Sequence, residues 1–145
     1  MRLTFATLMV LPLLAPSCAP DRATRESDAR MAEVARGATL YAENCAACHG
    51  AQARGDGPLA ADLPVPPADL TVLALANQGQ FPTGEVIAQV NGYPGRFHSA
   101  PMPEFGQLLA GDTRPWRAPD GRVVPTPSAL LALAAWLESI QREGA

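Results

Sequence analysis

Cys45-Ala46-Ala47-Cys48-His49 carries two thiols separated by two residues, with an imidazole directly after the second. This is the spacing of covalent haem attachment. One helical turn lets Cys45 and Cys48 reach both vinyl groups of a haem and presents His49 to the iron as an axial ligand. Two other chemistries share the paired cysteines. Zinc wants four ligands, commonly from a second pair, and the one further cysteine is Cys18, near the start of the chain. A thioredoxin-like dithiol needs a βαβ setting, and nothing here reads as parallel strands. The cofactor expected is a single haem c.

Length and composition agree with that. The chain has 145 residues, enough for one domain once a leader is removed. Apolar residues reach 48% but aromatics only 6%, so the polypeptide supplies few large core side chains, and a buried haem would add flat apolar bulk. Twelve glycines and fifteen prolines point to a loop-rich structure rather than a long-helix bundle. The formal net charge is −3, and all eleven basic residues are arginines scattered without a basic stripe. A mildly acidic chain has no electrostatic reason to bind nucleic acid.

Residues 1–18 have the form of a signal peptide, cleaved before or just after Cys18. A basic start at Arg2 precedes an apolar run over 3–14, shorter than the roughly 20 residues of a spanning helix. Leu14-Ala15-Pro16-Ser17-Cys18 resembles a lipoprotein box, with Pro16 as its departure. Lipidation of Cys18 would leave no unpaired thiol in an oxidising compartment and would anchor the protein to a membrane. A cut after Ala19 would instead discard Cys18. Residues 19–27 are then a flexible tether and 28–143 the folded domain, held outside the cytoplasm in the periplasm.

Within that domain the spacing predicts a helix over 28–46, capped by Ser27 or Asp28, with Met31, Val34, Ala35, Ala38, Tyr41 and Ala42 on its buried face. Gly37 in mid-helix costs about 1 kcal/mol relative to alanine, which asks for a packing reason. A Gly- and Pro-rich loop follows over 50–67, then a short helix over 69–75. A helix over 85–91 is expected with Thr83 as cap and Gly92 as stop. One or two helical turns fit 103–109, and an irregular stretch over 111–125 has room for a small hairpin at Asp120-Gly121. In the last helix, capped by Thr126 with Pro127 first, Leu130, Leu133, Ala134, Leu137 and Ile140 form one stripe beside Trp136, and Gly144 lies beyond its end.

The other axial position of the iron decides the chemistry. Met102 sits between Pro101 and Pro103, where φ is fixed on both sides, and such rigidity suits a loop that holds a thioether on iron. Met31 is expected in the core. His98 is the rival ligand, since imidazole also binds iron; its plainer role is as a loop histidine in solvent or near a haem propionate. His/Met ligation raises the reduction potential above that of a second histidine, and a saturated iron has no place for substrate.

From about Gly37 to Gln141 the chain resembles the class I mono-haem c-type cytochromes of the bacterial periplasm. The resemblance rests on Gly37, Leu40 and Tyr41, on Cys45-Ala-Ala-Cys48-His49-Gly50, and on Gly55-Asp56-Gly57-Pro58 and Pro66-Pro67-Ala68-Asp69-Leu70. Phe81-Pro82, Gly92, Met102-Pro103, Phe105-Gly106 and Trp136-Leu137 extend it in the family order. It implies an all-α cytochrome c fold with long Gly/Pro-rich loops, whose first and last helices cross beside the haem. Gly37 would lie at the crossing near Tyr41 and Trp136, and the Pro58 carbonyl would accept the His49 Nδ1–H bond. The haem pocket is expected from Pro58, Leu63, Leu70 and Phe105, and the wider apolar sheath from Leu59, Ile87, Val90, Leu108, Leu133 and Leu137.

The function implied is one-electron transfer to redox partner proteins, by a monomer or a subunit of a redox complex and not by an enzyme. The alternatives are a dedicated electron-transfer subunit of a dehydrogenase or oxidase, to which the extra stretch at 112–126 points, and a haem sensor or peroxidase with a labile sixth ligand.

Overall fold

Asp21 opens the first helix. In the computed structural model, which describes residues 21–92 and 102–142, its carboxylate accepts the Thr24 amide at 2.8 Å and the Thr24 hydroxyl at 3.0 Å. An Arg22–Glu26 pair at 2.6 Å spans the next turn. Helix α1 therefore runs over Arg22–Asn44, starting well before the expected Asp28. Neither Ser27 nor Asp28 is the cap, and residues 22–27 are helical instead of an irregular tether. A good capping oxygen followed by helix-tolerant residues and an i,i+4 ion pair suffices to extend the helix.

The buried face of α1 is narrower than the sequence periodicity suggests. Gly37 and Tyr41 are buried and Val34 and Ala38 half-buried, but Ala35 and Ala42 are exposed and Met31 is 60% exposed. Met31 is thus not a core residue. The cause lies in how α1 meets the last helix, α5, at Ser128–Ser139. A β-carbon on Gly37 would come within 2.7 Å of both the Ala132 carbonyl carbon and Trp136 Cβ. The two backbones touch there, which is the packing reason that the glycine required. Beside the contact the Tyr41 and Trp136 rings stack with centroids 4.2 Å apart. Residues 21–32 are exposed, and Arg30 among them reaches Glu138 of α5 at 3.5 Å.

In α5 the expected stripe is the core: Leu130, Leu133, Ala134 and Leu137 are each at most 3% exposed, and Ile140 packs against them. Its cap differs. Pro127 occupies the N-cap position without a side-chain bond. Thr126 is instead paired in a strand, its hydroxyl donating to Val124 O at 3.1 Å. Helix α4, Thr83–Asn91, places Ile87 and Val90 in the same core and stops at Gly92, whose φ of 76° is left-handed. Here too the expected cap moves: Thr83 is already helical, and the Glu85 and Val86 amides bond the Pro82 carbonyl, each at 3.0 Å.

The hairpin at Asp120-Gly121 forms, so the mostly helical fold departs from all-α by one antiparallel pair, β1 Thr113–Arg117 with β2 Val123–Pro127. Gly121, at φ 85°, donates to Ala118 O, and Ala118 donates to Arg122 O. Ser128 donates to Asp112 O at the open end. Because hydrogen-bonded and non-bonded pairs alternate along the ladder, Pro115 faces Pro125 at a non-bonded pair, as does Pro127 opposite Thr113. Three prolines are tolerated because none is asked for a ladder hydrogen bond. Trp116 packs on the core, and Arg114 pairs with Glu33 of α1, so the hairpin is tied to the body of the domain.

Candidate functional site

After Asn44 the backbone breaks slightly at Cys45, with φ −121° and ψ −33°, and resumes as α2, Ala46–His49. The Cys45 carbonyl accepts the amides of Cys48 at 3.1 Å and His49 at 2.9 Å. Both thiols and the imidazole therefore belong to one turn. A helix end leaves carbonyls without partners, and here the next loop supplies them. The amides of Leu59, Gly57 and Gly55 bond the carbonyls of Ala47, Cys48 and His49 at 2.9, 3.1 and 2.8 Å. The Gly55-Asp56-Gly57-Pro58 stretch thus folds under α2. From α1, Tyr41 Oη donates to the Gly50 carbonyl at 2.6 Å in a buried bond. Burial raises the Tyr41 pKa above its ordinary 10.0, with the Cys45 and Asp56 charges adding, so the hydroxyl stays a donor at neutral pH.

His49 Nδ1 lies 3.0 Å from the Ala68 carbonyl oxygen. A carbonyl only accepts, so Nδ1 carries the proton and Nε2 is left as the nitrogen with a free lone pair. The acceptor is Ala68 and not Pro58. The amides flanking Pro58 bond the Cys48 and Ala47 carbonyls, and Pro58 itself is exposed.

Ala68 is fixed by the residues on its C-terminal side. Asp69 accepts the Thr71 amide at 2.9 Å and the Thr71 hydroxyl at 2.6 Å, while its other oxygen meets Arg142 at 2.8 Å. Leu70 donates to the buried Ala53 at 2.7 Å. The Asp69-Leu70-Thr71 sequence is the available signal for this turn; nothing in an alanine marks its carbonyl as an imidazole partner.

The Thr71 bonds, chiefly the hydroxyl and then the amide, hold the Asp69 pKa below its ordinary 3.8, and Arg142 and Arg54 add to this. A depressed carboxylate contributes stability that is present above pH 3.8 and lost as pH falls through the lower folded value. Asp69→Asn is therefore expected to flatten the acid limb of the stability curve below pH 4. Acid titration of the helical circular dichroism checks this; an unchanged acid midpoint would refute it.

Cys45 and Cys48 are both half-buried and not joined in a disulfide. Burial pushes the Cys45 thiol up to about 11, with Cys48 adding to the effect. Redox dithiols work through a depressed thiol, so this environment suits a different use. No group of three or more His, Cys, Asp or Glu side chains that could hold a metal ion is found among the described residues.

Cys45, Ala46, Leu70, Phe81, Val86, Met102 and Phe105 are half-buried and pack against the same core. Leu70 and Phe105 are expected pocket residues and Met102 the expected axial ligand; Phe81 and Val86 pack on that core from the entry and first turn of α4. Leu63 is half-buried. Of the wider sheath, Ile87, Val90, Leu133 and Leu137 are buried, but Leu59 is 49% and Leu108 66% exposed in this structure. His98 and Cys18 lie outside the described residues.

The cytochrome c family model matches residues 34–141. The chain belongs to the cytochrome c family. Comparison with curated proteins and with solved structures gives no significant match. The domain is thus a haem-based electron-transfer module, and its family carries covalently attached haem c, typically one per domain. The residues present fit that group: two free thiols and an imidazole with one nitrogen already engaged share a turn, and apolar side chains and the Met102 thioether pack on the core of the same domain.

Proposed function

We propose that this protein is a one-electron carrier whose haem c is attached through Cys45 and Cys48 and ligated by His49 and Met102. The observation that carries the assignment is the His49 Nδ1 bond to Ala68 O. It fixes the tautomer, turns Nε2 into the ligating nitrogen and raises its basicity. When bound, the haem supplies the Fe(II)/Fe(III) couple. The chain's part is to hold the ring rigidly and keep water from it with Leu70, Phe81, Val86 and Phe105, which favours the reduced state. Met102, packed on the core, is the residue proposed to close the sixth position.

The protein is proposed to work outside the cytoplasm, with residues 1–18 as an export signal and Cys18 as a lipid anchor. Among the described residues no helix is long and apolar enough to cross a membrane. With α1 starting at Arg22, a lipid on Cys18 would be separated from a helix by three residues.

The test is a redox-titrated absorption spectrum of the exported protein beside Met102→Ala. Loss of the thioether is expected to open the iron to carbon monoxide in the reduced state and to lower the midpoint potential by on the order of 100 mV or more, given the potential range that axial ligands command. A low-spin spectrum and a potential both unchanged by the substitution would sink the ligand assignment. The intact mass of the same sample reports whether Cys18 carries acyl chains.

A further inference from the structure

Met102 is joined to α4 by more than the connecting chain. The residues on its C-terminal side, Glu104-Phe105-Gly106, fold back onto the end of the helix and its stop, Val90-Asn91-Gly92. Phe105 donates its amide to Val90 O at 2.9 Å. The Glu104 side chain lies over Gly92, where a β-carbon would sit 2.6 Å from Glu104 Cδ. Gly106 rests on Asn91: a β-carbon there would approach the Asn91 backbone oxygen closer than any real β-carbon does, and would lie 3.0 Å from Asn91 Oδ1. The partner atom is helix backbone, which cannot swing aside. Val90 is 6% exposed, so the helix end that receives these contacts is itself rooted in the core.

We infer that Val90-Asn91-Gly92 and Glu104-Phe105-Gly106 form a backbone clip whose function is to set the position of Met102, with Gly106 as a positioning residue for the sixth ligand. The inference rests on the proposed ligation by Met102. Three residues separate Met102 from Gly106, and the middle of the clip, the Phe105 amide, is held directly. A ligating side chain must be placed within about 0.5 Å. Seating a methyl group at Gly106 requires the two segments to part by an amount of that order or more, so it moves the thioether beyond its tolerance while leaving the α1–α5 contact untouched. Pro103, between the ligand and the clip, limits how far the chain can absorb such a shift.

The experiment uses the haem-bearing protein and the far-red sulfur-to-iron charge-transfer band of its oxidised form. The comparison set is wild type, Met102→Ala, Gly106→Ala and Leu130→Ala, the last a buried-core variant of α5 that lowers stability and lies outside residues 90–92 and 104–106. Expected are loss of the band and new carbon monoxide binding in Gly106→Ala, with haem retained and helical circular dichroism unchanged, while Leu130→Ala keeps the band. Should Gly106→Ala fail to fold, wild type answers: hydrogen exchange at the Phe105 amide and loss of the band should share one denaturant midpoint. A band present in wild type, absent in Met102→Ala and intact in a folded Gly106→Ala overturns the clip and leaves the ligation standing. Separate midpoints for Phe105 exchange and band loss also overturn it. No band in wild type removes the ligation itself, and the clip with it.

Discussion

Gly37→Ala is expected to lower the thermal unfolding midpoint of the haem-bearing protein by roughly 10 °C, even though alanine is the better helix former. Two effects oppose each other at this position. Replacing a mid-helix glycine gains about 1 kcal/mol of helix propensity. Against it stands a β-carbon within 2.7 Å of the Ala132 carbonyl carbon and Trp136 Cβ, and closer still to the Ala132 oxygen. Overpacking a closed contact costs about 1–3 kcal/mol and more where nothing can yield. Here the obstacle is the backbone of α5, flanked by Leu130, Leu133 and Leu137 at 3% exposure or less, so the upper end applies. The loss wins by about 2 kcal/mol, a sizeable part of the 5–15 kcal/mol that holds a domain. Gly37→Leu is expected to prevent folding altogether. Thermal melts followed by far-ultraviolet circular dichroism decide it, and an alanine variant that melts at or above the wild-type midpoint would show that the helices are free to separate.

The second large effect concerns retention of the cofactor. The double variant Cys45→Ala/Cys48→Ala is expected to release all of its haem into acid–organic solvent, where the parent protein releases none and each single variant remains joined through one sulfur. The chain has few means of gripping a haem without covalent bonds. Aromatic residues make up only 6% of it, and among the described residues Phe81 and Phe105 are half-buried against the core. His49 would remain as an iron ligand, but axial bonds do not survive denaturation. Haem-specific staining of a denaturing gel gives the same answer independently. Haem that stays with the denatured double variant would exclude attachment through this pair.

Much of the frame is legible because it depends on local spacing. The α5 stripe, the left-handed stop at Gly92, the close approach at Gly37 and the turn at Asp69 each follow from a residue type at a fixed offset, and each is found where the sequence puts it. Three other features are set by partners distant in the chain. The buried face of α1 depends on where α5 touches it, which no periodicity within α1 reveals, so Met31, expected in the core, is instead exposed. Thr126 has the sequence of a cap, but pairing with Arg114 in the hairpin claims it for a strand. The imidazole acceptor is the Ala68 carbonyl, 3.0 Å from His49 Nδ1, and not the expected Pro58. At the site itself, a Cys-x-x-Cys-His run announces its chemistry, whereas a backbone carbonyl nineteen residues later announces nothing.

The prolines of the hairpin have a consequence for how the molecule behaves among its own copies. A two-stranded ribbon has two open edges, each a template on which another chain can add a strand. In this ladder the amides of residues 113, 115 and 117 point outward along one edge, and those of 123, 125 and 127 along the other. Pro115, Pro125 and Pro127 delete one donor from the first row and two from the second. Neither edge can then offer the continuous set of donors that strand addition needs. The ribbon also carries Val123, 53% exposed, and stays displayed at the surface without recruiting its neighbours into a shared sheet.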